Sequence, residues 1–402
     1  MRSCSNTLVI VIDSARYQNP CAVFDSIEDT VKEFGGRKYT EMRAPSIWSL
    51  PSHVSFLSGI DACEHGVMRN TDSVHDTVRL LYDELSGVSG VFSTNPFLEN
   101  DEYGLASQFD YRCHEPKLST DGVWSHSKEA IDRLFRDRHI VESVRQWVGE
   151  HNGDGWNALV NMMDAHTPYI PECIRYSDFQ SVICEGNTKY DGDFTVSDEE
   201  LSVKQLLYCD CLVSVSHRIA SLIRYLADTG ELQDTHIIIT SDHGEGFGES
   251  SPVHDRDSVY HYNSMGEELL HVPLFEIHPD IEEFEIVESL GSVTNVYGIL
   301  TGELESLCCE EATASMVFGG NLFDEKSFFG ECGEVLYREC GSGDIEKYVV
   351  SGGDAWSTTE ASDGVVTGLV EEAVDRDPQE DISTSGSISS VTEDRLSSLG
   401  YI

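Results

Sequence analysis

Two short apolar runs constrain this chain more than any other feature. Leu8-Val-Ile-Val-Ile12 ends in Asp13, and His236-Ile-Ile-Ile239 leads into Thr240-Ser-Asp-His-Gly-Glu245. Runs of this kind, bounded by turn signals, mark strands covered on both faces, as in a parallel sheet. In open α/β sheets, ligands bind beyond the carboxyl ends of the strands. Asp13 and the Asp242-His243 pair stand at those ends, where a metal would be held. Gly244 and Gly246 let the backbone turn sharply after them. Read alone, Asp13 is an ordinary helix cap and Asp242 a turn former. The repetition of the pattern at two distant strands favours a shared metal.

The rest of the chain extends the alternation. Trp156–Met163 is a third core-type strand, and it empties into Asp164-Ala-His-Thr-Pro-Tyr169. Residues 89–95 form a strand running into a loop. Helical spacing is clear around Ser26–Phe34, over Ser127–Glu150 and over Leu201–Leu226, where apolar residues recur at three and four. Residues 35–44 read as irregular, 96–127 as loop-rich and 172–198 as an insertion over the active face. The fold class expected is α/β, with a large, mostly parallel central sheet and helices on both faces. Beyond about residue 280 the texture becomes shorter, acidic and Gly-spaced. Residues 1–280 are therefore expected to form the main α/β domain, and 281–402 a smaller α+β portion packed on it. Within that portion 335–350 reads as antiparallel strands and 378–390 as loop.

Composition narrows the setting. Acidic residues number 72 against 26 basic ones, a formal net charge of -46, and they are spread along the whole length. A dispersed acidic surface fits concentrated salt, where the Debye length falls to about 3 Å at 1 M and self-repulsion is screened. The expectation is the cytoplasm of a salt-accumulating organism. The same charge disfavours nucleic acid as a partner. The first strand begins by about residue 7, leaving no room for a secretory leader. No apolar run reaches the roughly 18 residues of a membrane span, so no membrane partner is expected. Twelve cysteines at irregular spacing, without a Cys-x-x-Cys pair, argue against a zinc ribbon or a disulfide scaffold.

A nucleophile candidate lies in Ser46-Ile-Trp-Ser-Leu-Pro-Ser-His-Val-Ser-Phe-Leu-Ser-Gly59. Pro51 suits the first turn of a helix. Ser49 then sits at or just before the N-cap, near free amides and the positive end of the dipole. Beside a cation its hydroxyl becomes a usable nucleophile. From this segment alone Ser49 is an ordinary cap; the metal-type residues elsewhere change that weighing. His166, past the third strand, can face an anionic oxygen or a metal, or be a hydrogen-bonded loop residue. His261 can protonate a leaving group, complete a metal shell, or sit in solvent. His254 and His53 are further candidates, and Glu245 reads as structural. Gly244, Gly246 and Gly248 lack the third spacing of a dinucleotide fingerprint.

These segments together resemble the sulfatase family of the alkaline phosphatase superfamily, in a haloarchaeal style. The matching pieces are Val11-Ile-Asp-Ser-Ala-Arg16, Ser49-Leu-Pro-Ser-His53, Glu64-His-Gly66, Met163-Asp-Ala-His-Thr-Pro168, Thr240–Glu249 and Glu267-Glu-Leu-Leu-His-Val-Pro-Leu274. The tail pieces Asp375-Arg-Asp-Pro-Gln-Glu380 and Arg395-Leu-Ser-Ser-Leu-Gly-Tyr401 fit too, in matching order. The resemblance implies that Asp13, Asp242 and His243 hold one divalent metal. Ser49 would then be the nucleophile position, with His166 facing the substrate anion and His261 near the leaving oxygen. Arg16, His53 and Asp164 are the candidate substrate-binding residues. The implied substrate is a small anionic ester of sulfate, phosphate or phosphonate, carried on a sugar, lipid head group or nucleotide.

Two departures from the family pattern bear on the chemistry. Members that convert Cys or Ser into formylglycine use Cys/Ser-x-Pro-x-Arg, whereas here His53 occupies the Arg position. Unmodified serine at position 49 is therefore favoured over formylglycine, which tilts the chemistry toward phosphate-type esters. Ser14 stands where many members carry a second Asp. A histidine ligand favours Mn, Zn or Mg over an all-oxygen Ca site. The leading expectation is a metal-dependent hydrolase of sulfate or phosphate esters. The rivals are a two-metal phosphodiesterase or phosphotransferase using Asp164, His166 and His261, and a catalytically silent metal-binding protein.

Overall fold

The computed structural model describes residues 4–113, 136–167, 169–171, 198–250, 257–261, 266–316, 325–330, 335–339, 383–385, 388–390 and 392–393. Residues 172–197 of the insertion expected at 172–198, His254 and both tail motifs lie outside these residues, as does most of 340–390.

Strands β1 (Asn6–Ile12), β2 (Gly36–Arg43), β3 (Asp72–Val74), β4 (Val88–Phe92), β5 (Tyr111–Cys113), β6 (Trp156–Met162) and β7 (Thr235–Thr240) come first. They are followed by β8 (Gly246–Ser250), β9 (Asp257–Tyr260), β10 (His271–Ile277) and β11 (Phe284–Ser292). An 8-stranded sheet runs in the order β11-β2-β10-β7-β1-β6-β4-β5. Only β10 is reversed, pairing antiparallel with both β2 and β7. The mostly parallel α/β sheet read from the sequence is the observed architecture. Strands β12 (Glu311–Met316), β13 (Glu325–Gly330) and β14 (Val335–Glu339) form a separate antiparallel sheet, while β15 (Ser383–Ser385) pairs with β3.

Strand β1 shows why the sheet lies at the centre. Every one of its residues is buried. Its side chains alternate between two cores: Val9 and Val11 enter one, and Leu8, Ile10 and Ile12 enter the other. Each buried Leu or Ile contributes roughly 1.5–3 kcal/mol, so neither face of this strand can be turned to water. One core packs against helix α1 (Asp25–Phe34), helix α3 (Arg136–Glu150) and helix α4 (Asp198–Thr229). The other takes helix α2 (Ser49–Ser58) through Leu50, Val54 and Leu57.

Helix α4 is long and apolar enough to cross a membrane by composition, with a mean hydropathy of 1.4 in its best window. Here it behaves as a core helix, burying Tyr208, Leu212, Val215, Ile219, Leu222 and Leu226. Among the described residues, Cys209 and Cys211 are buried on α4.

Two sequence expectations are overturned. Within 378–390, read as loop, Ser383–Ser385 forms β15 and pairs with β3. Residues 36–43, read as irregular, form β2. Its polar residues Arg37, Lys38, Thr40 and Glu41 are only half-buried, while Tyr39 and Met42 point inward. The strand arises because β10 and β11 pair on either side of it. Tertiary pairing here overrides weak local patterning.

Candidate metal centre

Three neighbouring parallel strands, β7, β1 and β6, end side by side. The chain beyond them delivers Asp242-His243, Asp13 and the Asp164–His166 segment to one rim. Helix α2 brings Ser49 to the same place. Ser49 is its first helical residue, with Trp48 as N-cap, so the helix begins right at the hydroxyl.

The distances define a compact donor set. Ligand atoms of Asp13, Asp242 and His243 lie within 4.8 Å of one another, and all three residues are buried. His243 Nε2 is 3.6 Å from Asp242 Oδ2 and 3.9 Å from Asp13 Oδ1. Ser49 Oγ is 3.4 Å from Asp13 Oδ2 and 3.4 Å from His243 Nε2. Two bonds of about 2.1 Å from one ion leave their ligand atoms at most about 4.2 Å apart. These specific spacings fall inside that limit.

The hydrogen bonds support the same reading. Asp242 Oδ1 accepts the backbone N–H groups of Ser14 at 3.1 Å and His243 at 3.0 Å. Its Oδ2 is buried with no hydrogen-bond partner, which costs free energy unless a cation meets it. His243 Nδ1 donates to the Gly244 carbonyl at 2.8 Å. That contact leaves the Nε2 lone pair for a metal, the usual outer support of a ligating histidine. Burial, helped by neighbouring His261, pushes the His243 pKa down to about 3, so the ring is neutral as a ligand requires. Gly244 is needed for a close approach: a Cβ there would meet the Glu268 carbonyl oxygen at 2.0 Å.

Asp13 is held by Ser14 and by two asparagines that the sequence did not single out. Asn95 Nδ2 donates to its Oδ2 at 2.9 Å, and Asn161 Nδ2 does so at 3.3 Å. Asn95 also caps the next turn by accepting from the Phe97 N–H at 3.0 Å. Ser14, in the position of the family's second Asp, donates its hydroxyl to Asp13 Oδ1 at 3.2 Å. Its φ of 61° is left-handed, a strained conformation that persists where the surroundings enforce it. The one clue in the sequence was a polar Asn161 inside an apolar strand.

The histidines divide by surroundings. His53 Nδ1 donates to the Ser49 carbonyl at 2.7 Å, and its Nε2 is 3.1 Å from Asn161 Oδ1. The ring thus braces the first turn of α2 against β6. His65, from the Glu64-His-Gly66 motif, donates from Nε2 to the Pro51 carbonyl at 3.2 Å and accepts the Val67 N–H at Nδ1. Burial pushes its pKa down to about 3. His261 lies against His243, ring centroids 4.8 Å apart, and against His166 at 5.3 Å. Burial, then the proximity of His166, pushes the His261 pKa down to about 3. His166 itself bonds the Thr167 carbonyl through Nδ1 at 2.8 Å.

Arg16 and Asp164 are each held in an ion pair. Arg16 binds Glu249 and the carbonyl oxygens of Gln18 and Glu245. Asp164 is bound by Arg218 from α4.

Strand ends that converge on one rim beside a helix-borne hydroxyl define an alkaline-phosphatase-like α/β fold with a candidate metal centre. The sulfatase family model matches residues 5–300, and the chain belongs to that family. Solved structures agree on the fold. The phosphonate monoester hydrolase of Agrobacterium radiobacter is 15% identical, with a TM-score of 0.68 over 95% of this chain and 100% of that one. The phosphonate monoester hydrolase of Silicibacter pomeroyi is 15% identical, with a TM-score of 0.61 over 87% and 89%. A 2-O GAG sulfatase is 14% identical, with a TM-score of 0.61 over 87% and 85%. The search of curated proteins found no match.

Proposed function

We propose that this chain is a metal-dependent ester hydrolase in which Ser49 is the nucleophile and phosphate- or phosphonate-type monoesters are preferred to sulfates. One observation carries the reading: Ser49 Oγ lies 3.4 Å from both Asp13 and His243, beside an Asp242 oxygen that no hydrogen bond reaches. A divalent ion held by Asp13, Asp242 and His243, for which the nitrogen donor suits Mn, Zn or Mg, would ease deprotonation of Ser49 and offset charge on the transferring group.

The chain's own groups then have separate tasks. Ser49 Oγ forms a bond to phosphorus as the bond to the leaving oxygen breaks. His261, a neutral imidazole in its buried setting, stands beside that oxygen and hydrogen-bonds it through a ring N–H. His166 orients the anion. His53 keeps Ser49 in place through its bond to the Ser49 carbonyl. Water releases the transferred group from Ser49. An unmodified serine can follow this route, and the His53 departure from the formylglycine motif supports it. Membership of the sulfatase family and the activities printed for the similar structures, phosphonate monoester hydrolysis and 2-O GAG sulfatase, support an ester hydrolase. The Asp164–Arg218 pair favours one metal over two, since that carboxylate is already engaged. The net charge of -46 supports a role in a salt-rich cytoplasm.

The test compares wild type with Ser49→Ala on aryl phosphate, phosphonate and sulfate esters in molar KCl. Turnover is expected to fall at least about 10³-fold, with the phosphorus esters the better substrates. Unchanged turnover in the variant would remove Ser49 from this role.

A further inference from the structure

Asn95 stands just past the end of β4, which runs parallel to β6, so the chain delivers it to the same rim as Asp13. It is wholly buried. Its backbone N–H donates to Ser93 Oγ at 2.8 Å, and its carbonyl accepts the N–H groups of Leu98 at 3.1 Å and Glu99 at 3.2 Å. Its side-chain Oδ1 accepts the Phe97 N–H at 3.0 Å. That last contact fixes which way the amide points. A backbone N–H can only donate, so the oxygen faces Phe97 and the Nδ2 end faces Asp13 Oδ2, 2.9 Å away.

The carboxylate oxygen that Asn95 holds is the one that Ser49 Oγ approaches at 3.4 Å. Asn161 also reaches it, but at 3.3 Å and with Met163 Sδ as a second contact of the same nitrogen at 3.2 Å. Asn95 therefore makes the shorter of the two amide contacts. With Oδ2 held, Oδ1 is left on the side of His243, 3.9 Å from its Nε2. The donors to Asp13 are two amides and the hydroxyls of Ser14 and Ser49, all neutral. They orient the carboxylate without cancelling its charge. The same turn touches the helix of the nucleophile. Phe97 packs edge-on against Trp48, ring centroids 5.7 Å apart, and Trp48 is the N-cap residue just before Ser49.

We propose that Asn95 is a positioning residue of the metal centre, whose amide holds Asp13 in the orientation that a divalent cation needs and so sets the affinity for that cation. The inference rests on the metal-dependent reading above and deepens it. A ligand that must first be ordered weakens binding, and groups that orient metal-ligating carboxylates act by removing that cost. Asn95 does this from a rigid place, because its amide is locked by the turn that it caps.

The experiment measures the Mn dissociation constant of the full chain by titration calorimetry in molar KCl. Asn95→Ser keeps a side chain that caps the turn but removes the donor to Asp13. Its dissociation constant is expected to rise about 10- to 100-fold. The unfolding midpoint in chelator is expected to stay at the wild-type value, which separates positioning from support of the turn. Ser93→Ala disturbs the same turn by removing the acceptor of the Asn95 N–H, yet leaves the amide on Asp13. Its dissociation constant is expected to change by less than about threefold. Asn95→Gly, also accepted at a helix N-cap, carries the comparison if the Ser variant does not fold. Unchanged affinity in the Asn95 variants, or an equal loss in Ser93→Ala, would overturn the positioning role, as would a wild type that binds no Mn. A wild type that binds Mn, loses affinity as expected in Asn95→Ser and cleaves no ester would support the positioning role and overturn only the hydrolase reading.

Discussion

The two ends of β7 use the same residue types to opposite effect. At its start, His236 Nε2 lies 2.9 Å from Glu276 Oε1, and Tyr39 donates to Glu276 Oε2 at 2.8 Å. Arg37 adds a contact at 3.5 Å. His236 and the attractive groups around Glu276 outweigh its burial and hold its carboxyl below the usual range. Beyond the strand's other end, Asp242 keeps a buried oxygen that no hydrogen bond reaches, and His243 turns its Nε2 toward two carboxylates. The first cluster is electrostatically closed and the second is open. A closed His–carboxylate cluster holds strands together, whereas an open one presents unengaged donor atoms to one another. The difference lies in how partners are arranged, not in which residues are present.

The largest effect expected from this contrast concerns stability without metal. Glu276→Ala leaves buried His236 and the Tyr39 hydroxyl without their carboxylate, while Arg37 keeps Glu285, and is expected to destabilise by roughly 2–4 kcal/mol. Asp242→Asn keeps the Oδ1 that accepts the Ser14 and His243 N–H groups and is expected to leave the metal-free protein as stable as wild type, or more so. Urea unfolding of both variants in the presence of a chelator checks this. A large loss in Asp242→Asn, equal to that in Glu276→Ala, would erase the distinction between the two ends.

A smaller effect concerns acid. His65 is closed like His236, with both nitrogens engaged, and burial lowers its folded pKa from 6.5 to about 3. Below pH 6.5 the unfolded chain takes up a proton that the folded chain refuses. The stability linked to His65 is therefore full above pH 6.5 and declines as pH falls toward 3. In His65→Gln this part of the decline is expected to vanish, read as a shallower slope of unfolding free energy between pH 6.5 and 4. An unchanged slope would show that His65 is not held neutral.

The open end of β7 was largely legible in the sequence, and its supports were not. Asp13, Asp242 and His243 each follow an apolar run, so their position at strand ends could be read locally. Ser49 was marked by Pro51 two residues on. Asn95 and Asn161 left little trace, because each bonds Asp13 from 82 and 148 residues away. Such contacts exist only once the strands are laid side by side. Strand β2 escaped for the same reason, since its strand character comes from β10 and β11. Glu245, read as structural, closes on Tyr169 and His261, 76 and 16 residues distant, and neither contact could be read locally. Local pattern encodes which strands form and what they end in; the packing decides which polar groups close on one another.

The most direct test of the open-centre account is metal content per chain after equilibrium dialysis against Mn or Zn, measured by elemental analysis. Wild type is expected to retain one ion per chain, as is Glu276→Ala under conditions where it stays folded, and Asp242→Asn is expected to retain none. One ion still bound in folded Asp242→Asn, or none in wild type, would contradict the account.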